Sequence, residues 1–481
     1  MAKREGYIKK EDRKTILLLC DDMRMHSGIA TMAREIVAGS VHKYNWVQLA
    51  AAINHPDQGK AIDLSEDFKS MTKIEDPDVK IFPNSGYGDA MRLRALLAQY
   101  NPSAVMIFTD PRYWGWLFDL EREIRQHIPI FYLNIWDDYP APYYNRNAYD
   151  SCDLLMGISK QTVNINKLVL GERAKGKVIK YVPHGINEDR FFKMDKNSKD
   201  YKEFSEFRDS TFGNKEINYV VFFNSRNIKR KSPADLMLAY RYFCDMIGDD
   251  AAKKTALVLH TKAVDQNGTD LMKIKELFFK PKVHNVFFSQ QNLSPDQMKW
   301  LYNIADLTVL PSSNEGWGLS LTESMMCETM IAANVTGGMQ DQMRFVDEKG
   351  KWIDFDENFP SNHTGKYKEH GEWAIPFFPS CRSLVGSVPT PYIFDDKCSP
   401  EDICKAIKEA YDLGPEERAR RGKLGRDWAL SDEAQMSGQA MANNFINAAE
   451  ETFLKFKKRP KFDLIKVEER KKDYITHKLK Y

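Results

Sequence analysis

The chain has 481 residues, 42% hydrophobic and 29% charged, a composition that excludes a disordered or fibrous protein and leaves room for two or three globular domains. Its 70 basic and 68 acidic residues give a formal net charge of +2, which excludes a general attraction of the whole molecule for polyanions, so any basic site must be local. There is no run of about 18 apolar residues, and the charged start "MAKREGYIKKEDRK" leads only into a strand-length apolar stretch, so neither a spanning helix nor a secretory leader is predicted.

The first strands read from the sequence are "TILLLC" (15–20), "AVMIFT" (104–109), "PIFYLNI" (129–135) and "DLLMGIS" (153–159). Continuous apolar runs alternating with amphipathic helical stretches predict a parallel sheet covered on both faces. A polar region at 187–216 interrupts the pattern. It restarts with "NYVVFFNS" (218–225), "TALVLH" (255–260), "NVFFS" (285–289), "ADLTVLPSS" (305–313) and "MIAANV" (330–335), which predicts a second α/β unit. Residues 355–391 mix Pro, Gly, His and aromatics and read as a long inserted loop, of a length that usually carries function. Beyond Ser399 the pattern is helical. The seven cysteines are scattered and form no CxxC pair, so reduced thiols in a cytoplasmic compartment are predicted rather than disulfides or a structural zinc site.

Three clusters bear on chemistry. In "DDMRMHSGIATMAREIVAGS", Ser27 is placed to cap a helix and Gly28 to let the backbone approach a ligand, although a lone glycine also fits a simple tight turn. In "FFNSRNIKRKSPADLMLAY", Ser232 and Pro233 mark a helix start, and Arg226, Lys229, Arg230 and Lys231 crowd before it. Cations at the positive end of a helix dipole call for an anion. A diphosphate would meet that need, and Arg226, directly after a strand, and Lys231, directly before the helix, are the two selected to hold it.

The third cluster is "NEGWGLSLTE" (314–323). Two readings of its carboxylates stand open. Ser320 and Glu323 fit a capping box at a helix start. Alternatively, Glu315 and Glu323 accept hydrogen bonds from vicinal hydroxyls of a sugar and a ribose, with Gly316 and Gly318 exposing amides beside them.

"NEGWGLSLTE" resembles the Glu-x7-Glu signature of retaining glycosyltransferases of family 4, which have the GT-B fold. "HSGIATMAREI", "YVPHGINEDRF", "SRNIKRK" and "CETMIAANVTGG" resemble further segments of that family in the same order. The resemblance implies an α/β protein of two Rossmann-like domains facing across a cleft. Residues 1–185 would form the acceptor side, completed by helices from about 430 to 481, and 186–429 the nucleotide-sugar side. It implies transfer of a hexosyl-type group from a nucleoside diphosphate sugar, UDP- or GDP-linked, to an acceptor hydroxyl with retention of anomeric configuration, and no metal or other cofactor.

Carried over by position, the resemblance has Arg226 and Lys231 hold the diphosphate, Glu315 face the transferred sugar and Glu323 bind the ribose. The backbone of Gly316, Trp317, Gly318 and Leu319 would approach sugar and phosphate, and Gly28 would approach from the opposite domain. One departure stands out. Where the family often has a histidine, this chain has Trp136, followed by Asp137 and Asp138; either aspartate could orient a hydroxyl or merely cap the strand end, and His26 and His184 are alternative imidazoles. The acceptor stays open between a glycan, a lipid, a small soluble molecule and a hydroxymethylated base in DNA, the last prompted by "KRK" at 229–231 and by the basic, aromatic-rich segment from Phe453 to Tyr481. That segment also reads as a contact for an anionic surface, or as a solvated tail. A non-catalytic module that binds sugar nucleotides is the reading from a different class.

Overall fold

The computed structural model describes residues 5–213 and 216–462. Apolar runs such as Ile16 to Cys20 become strands buried on both faces: Ile16, Leu18 and Cys20 face one core, Leu17 and Leu19 the other. The first sheet contains β1 (Lys14–Asp21), β2 (Tyr44–Ala51), β3 (Ile62–Asp63), β4 (Val79–Pro83), β5 (Ala104–Phe108), β6 (Ile130–Asn134), β7 (Leu154–Gly157) and β8 (Val178–Tyr181). Their order is β3-β4-β2-β1-β5-β6-β7-β8, parallel except for the short β3.

The second sheet contains β9 (Tyr219–Asn224), β10 (Thr255–His260), β11 (Asn285–Ser289), β12 (Leu307–Leu310), β13 (Met330–Asn334) and β14 (Ala374–Phe377), in the order β11-β10-β9-β12-β13-β14 and wholly parallel. Strand order reverses between β1 and β5 in the first sheet and between β9 and β12 in the second. Such switch points are where open α/β sheets bind ligands, outside the carboxyl ends of the strands.

Two segments differ from the sequence reading. The polar stretch 187–216 contains the helix Tyr201–Phe212, whose Phe204 and Phe212 are buried against the second sheet; its charged outer face hides this period in the sequence. The insertion is not simply a loop. It supplies β14 to the second sheet and leads into a hairpin of β15 (Cys381–Ser387) and β16 (Thr390–Lys397). That hairpin reaches the first unit: Phe394 N–H donates to Tyr139 O at 2.8 Å and Tyr144 O–H to Tyr392 O at 3.0 Å.

The helix Gly438–Lys455 packs on the helix Gly28–Ser40 beside the first sheet. Gly39 permits the contact, because a Cβ there would lie 2.3 Å from that of Ala442. Tyr44 O–H donates to Glu450 at 2.6 Å in the same layer. Residues 463–481, most of the basic C-terminal segment, lie outside the described residues.

Candidate active site

A cleft of about 600 Å³ lies between the carboxyl ends of the two sheets, a volume suited to a ligand of nucleotide-sugar size. The first unit contributes His26, Ser27, Gly28, Asp137 and His184; the second contributes Asn224, Arg230, Lys231, the turn from Glu315 to Ser320, and Glu323.

Two helix N-termini point into this space. Ser27 accepts from Ala30 N–H at 3.1 Å and caps the helix Gly28–Ser40 as the sequence predicts. Gly28 lies at that tip, where an added Cβ would sit 3.0 Å from Leu319 of the opposite unit. The second N-terminus belongs to the helix Leu319–Met326. Its cap is Gly318, in a left-handed conformation at φ 93° that favours glycine. Ser320 therefore lies inside the helix rather than at its start, and Glu323 bonds elsewhere: Tyr302 O–H donates to it, and Asn224 Nδ2 donates to Tyr302 Oη at 2.8 Å. The capping-box reading fails for this reason. Burial raises the Glu323 carboxyl above its ordinary 4.5, partly offset by the Tyr302 hydrogen bond.

Glu315 is the electrostatic centre of the cleft. Lys231 Nζ and Arg230 Nη1 both donate to its Oε2, the latter at 2.7 Å, and Arg230 also lies 3.9 Å from Asp137. Burial pushes the Glu315 carboxyl up, but the two cations outweigh it and hold the group below 4.5. Burial, then repulsion from Arg230, lowers Lys231 from 10.5. Burial raises Asp137, with Arg230 opposing. The anion that the crowded cations call for is thus provided by the chain itself. It also turns Arg230 and Lys231 inward, so "KRK" is not a continuous outward patch for nucleic acid.

Arg226 is placed differently from the expectation. It follows Ser225, which lines the cleft, but its exposed guanidinium pairs with Asp265 at 3.3 Å and stays outside the lining. Arg230 occupies the seat beside Glu315 because a single 3-10 turn over Lys229–Lys231 swings it there. Ser232 stands at the cap position of the helix Pro233–Ile247 yet makes no side-chain cap bond. Trp317 contributes to the lining while its Nε1 donates to Thr322 at 3.0 Å, so the indole is fixed by the protein. Trp136 is buried, donates to Asp138 O at 2.8 Å and packs edge-on against Tyr144, so it is a structural residue. His184 is buried against Trp317 and burial lowers it to about 3, so its imidazole is neutral.

Sequence reasoning missed Tyr302 and Asn224. Their partnership with Glu323 joins the helix Pro295–Ile304, β9 and the helix Leu319–Met326, and no spacing along the chain records it.

With this geometry established, likeness to known proteins becomes informative. Residues 206–356 match the family model described as glycosyl transferases group 1. That stretch carries the Arg226–Lys231 cluster and both glutamates. Curated relatives include D-inositol 3-phosphate glycosyltransferases from Corynebacterium jeikeium, 25% identical over 190 residues (40% of this chain, 43% of the relative), and from Geodermatophilus obscurus, 27% identical over 175 residues (34% of each). The chain thus spans less than half the length of these relatives. Similar solved structures include Anabaena HepE in complex with UDP and glucose, with TM-score 0.60 and 13% identity over 91% of this chain and 100% of that one. Sucrose-phosphate synthase from Thermosynechococcus elongatus gives TM-score 0.61 and 14% identity over 92% and 100%. The fold is GT-B.

Among the described residues no group of three or more His, Cys, Asp or Glu is arranged to hold a metal, and no helix is long and apolar enough to cross a membrane.

Proposed function

We propose that the protein transfers a glycosyl group from a nucleoside diphosphate sugar to an acceptor hydroxyl, with retention at the anomeric carbon. The observation that carries this reading is the convergence of Lys231, Arg230 and Glu315 with the N-terminus of Leu319–Met326 in one interdomain cleft. Cleavage of a sugar–diphosphate bond builds negative charge on the leaving group. Fixed cations and amides stabilise that charge without reorganising, usually the largest contribution in such sites.

In this reading the second unit holds the donor. Its diphosphate, a UDP or GDP moiety, takes Lys231 and Arg230, and releases Glu315 to accept from hydroxyls of the transferred sugar. Arg226, whose guanidinium is exposed, joins by leaving Asp265. Glu323, oriented by Tyr302, accepts from the ribose, and the amides of Gly316 to Leu319 approach sugar and phosphate. The acceptor enters from the side of Gly28 and Asp137. A leaving-group oxygen receives the acceptor proton as the new bond forms on the same face, so no separate base is needed, and Lys231 and Arg230 supply the positive charge that the diphosphate requires. Contact between the units across the cleft excludes water from the reacting centre.

The curated relatives' names, which specify inositol phosphate, make a polyol phosphate an acceptor to test beside glycans, lipids and modified DNA. The deciding experiment incubates the protein with UDP- and GDP-hexoses and follows release of the nucleoside diphosphate with and without an acceptor panel. Release that depends on an acceptor supports the reading. Tight donor binding without release under any condition would favour the non-catalytic module.

A further inference from the structure

The seam between the two units contains a carboxylate pair with too few protons for its hydrogen bonds. Thr336 Oγ1 lies 2.9 Å from Asp138 Oδ2 and 3.0 Å from Asp396 Oδ2, both carboxylates being fully buried. A threonine hydroxyl has one proton and can donate to only one of them. The other contact requires a protonated carboxyl. Asp396 accepts from Arg382 Nε at 2.6 Å, Ser361 Oγ at 2.9 Å and Asn362 Nδ2 at 2.8 Å, a set of donors that suits an ionised acceptor. Asp138 Oδ1 accepts from Tyr139 N–H and Gln161 Nε2, both at 2.7 Å, which leaves Oδ2 to carry the proton.

We propose that Asp138 is a protonated positioning residue: its O–H donates to Thr336, the Thr336 O–H donates to ionised Asp396, and this chain fixes the loops that present Asp137 and Glu315 to the cleft. The connections are short. Asp137 precedes Asp138 in sequence. Gly337 follows Thr336 and packs so closely that an added Cβ would lie 2.3 Å from Glu315 O and 3.1 Å from Asp137 O. On β16, Asp396 N–H donates to Ser313 O at 2.9 Å, and Asp395 accepts from Ser313 Oγ and Asn314 Nδ2, next to Glu315. The hairpin thereby braces the donor turn against the first unit.

The charged groups facing Asp138 are Asp396 and Arg382 from the hairpin; on its own loop Asp137 turns to Arg230, and on the adjacent helix Lys160 turns to Asp354 and Asp341. Burial, then the Asp396 carboxylate, raises Asp138 well above 3.8, with Tyr139 N–H, Thr336 and Arg382 opposing. The folded chain therefore keeps this proton to higher pH than the unfolded chain. The stabilisation that Asp138 contributes is complete below 3.8 and is lost as pH rises through its folded value, when the proton passes to solvent and Thr336 faces two anions.

The positioning role rests on the transferase reading; the protonation does not, and the test separates them. Asp138→Asn reproduces the protonated group, since its amide donates to Thr336 and its carbonyl accepts from Tyr139 and Gln161. It should melt no lower than wild type, with an advantage that grows as pH rises, and should retain kcat while losing any alkaline fall that wild type shows. Thr336→Val and Asp396→Asn should each melt several degrees lower, the latter because Arg382 loses its counterion. An Asp138→Asn protein that melts as low as Asp396→Asn across the pH range would overturn the assignment. Melting as expected with kcat lost in Asp138→Asn would overturn the positioning role alone, and a wild type without turnover leaves the melting series to decide the protonation.

Discussion

Lys231 and Glu315 form a buried ion pair at the floor of the cleft, and Arg230 closes on the same carboxylate oxygen. In the proposed reaction the two charges part, the cation to diphosphate and the anion to sugar. Glu315→Gln should then leave both cations free for the leaving group. Nucleoside diphosphate is expected to bind more tightly than to wild type, while turnover falls on the order of a hundredfold because the sugar loses its acceptor. Competition binding and steady-state kinetics on the same preparation read both effects.

Lys231→Ala removes the cation and leaves Glu315 facing Arg230 alone. Turnover should fall on the order of a hundredfold or more. Arg226→Ala should match it if the exposed guanidinium swings from Asp265 to the diphosphate, and Asp265→Asn should leave activity near wild type. Full activity in Arg226→Ala would assign the diphosphate to Arg230 and Lys231 only.

Glu323 gives a pH signature. Ionised, it accepts from ribose hydroxyls, and burial raises its carboxyl, so protonation begins above the ordinary 4.5 as pH falls. Donor KM should therefore rise on acidification before kcat changes. Tyr302→Phe, which removes the hydrogen bond orienting the carboxylate, should raise donor KM by a factor on the order of ten at neutral pH, as expected for a bond to a charged group. Unchanged KM in both experiments would return Glu323 to a structural role.

Gly337 is a packing prediction. It adopts φ 54° and leaves no room for a Cβ against Glu315 O. Gly337→Ala should lower stability by about 2 kcal/mol or more through strain and overpacking together. Thermal or urea unfolding measures the loss directly.

Much of the fold was legible because fully buried parallel strands leave dense apolar runs. "TILLLC" falls inside β1, and "NVFFS" coincides with β11. The exceptions have physical reasons. β2 carries Asn45 and Gln48, whose side-chain amide N–H groups donate to Lys10 O and to Asp21 O and Cys20 Sγ, so its sequence does not look buried. β14, whose Phe377 is a core residue, follows a glycine- and histidine-rich stretch that ends in the buried Trp373. In the site, order along the chain located the turns at 28, 226–231 and 315–323, since turns are local. It did not tell which arginine faces inward, because one 3-10 turn decides that. Nor did it show that Asp138 turns from the cleft to the hairpin, a contact with residues far along the chain.

The central claim is that this cleft binds a nucleoside diphosphate through Lys231. Calorimetric titration of UDP and of GDP into wild type and Lys231→Ala tests it most directly. The account predicts that wild type binds one of the two at a single site per chain, and that the substitution weakens binding by a factor on the order of ten or more. Equal affinity in the two proteins, or no binding of either nucleotide to wild type, would contradict it.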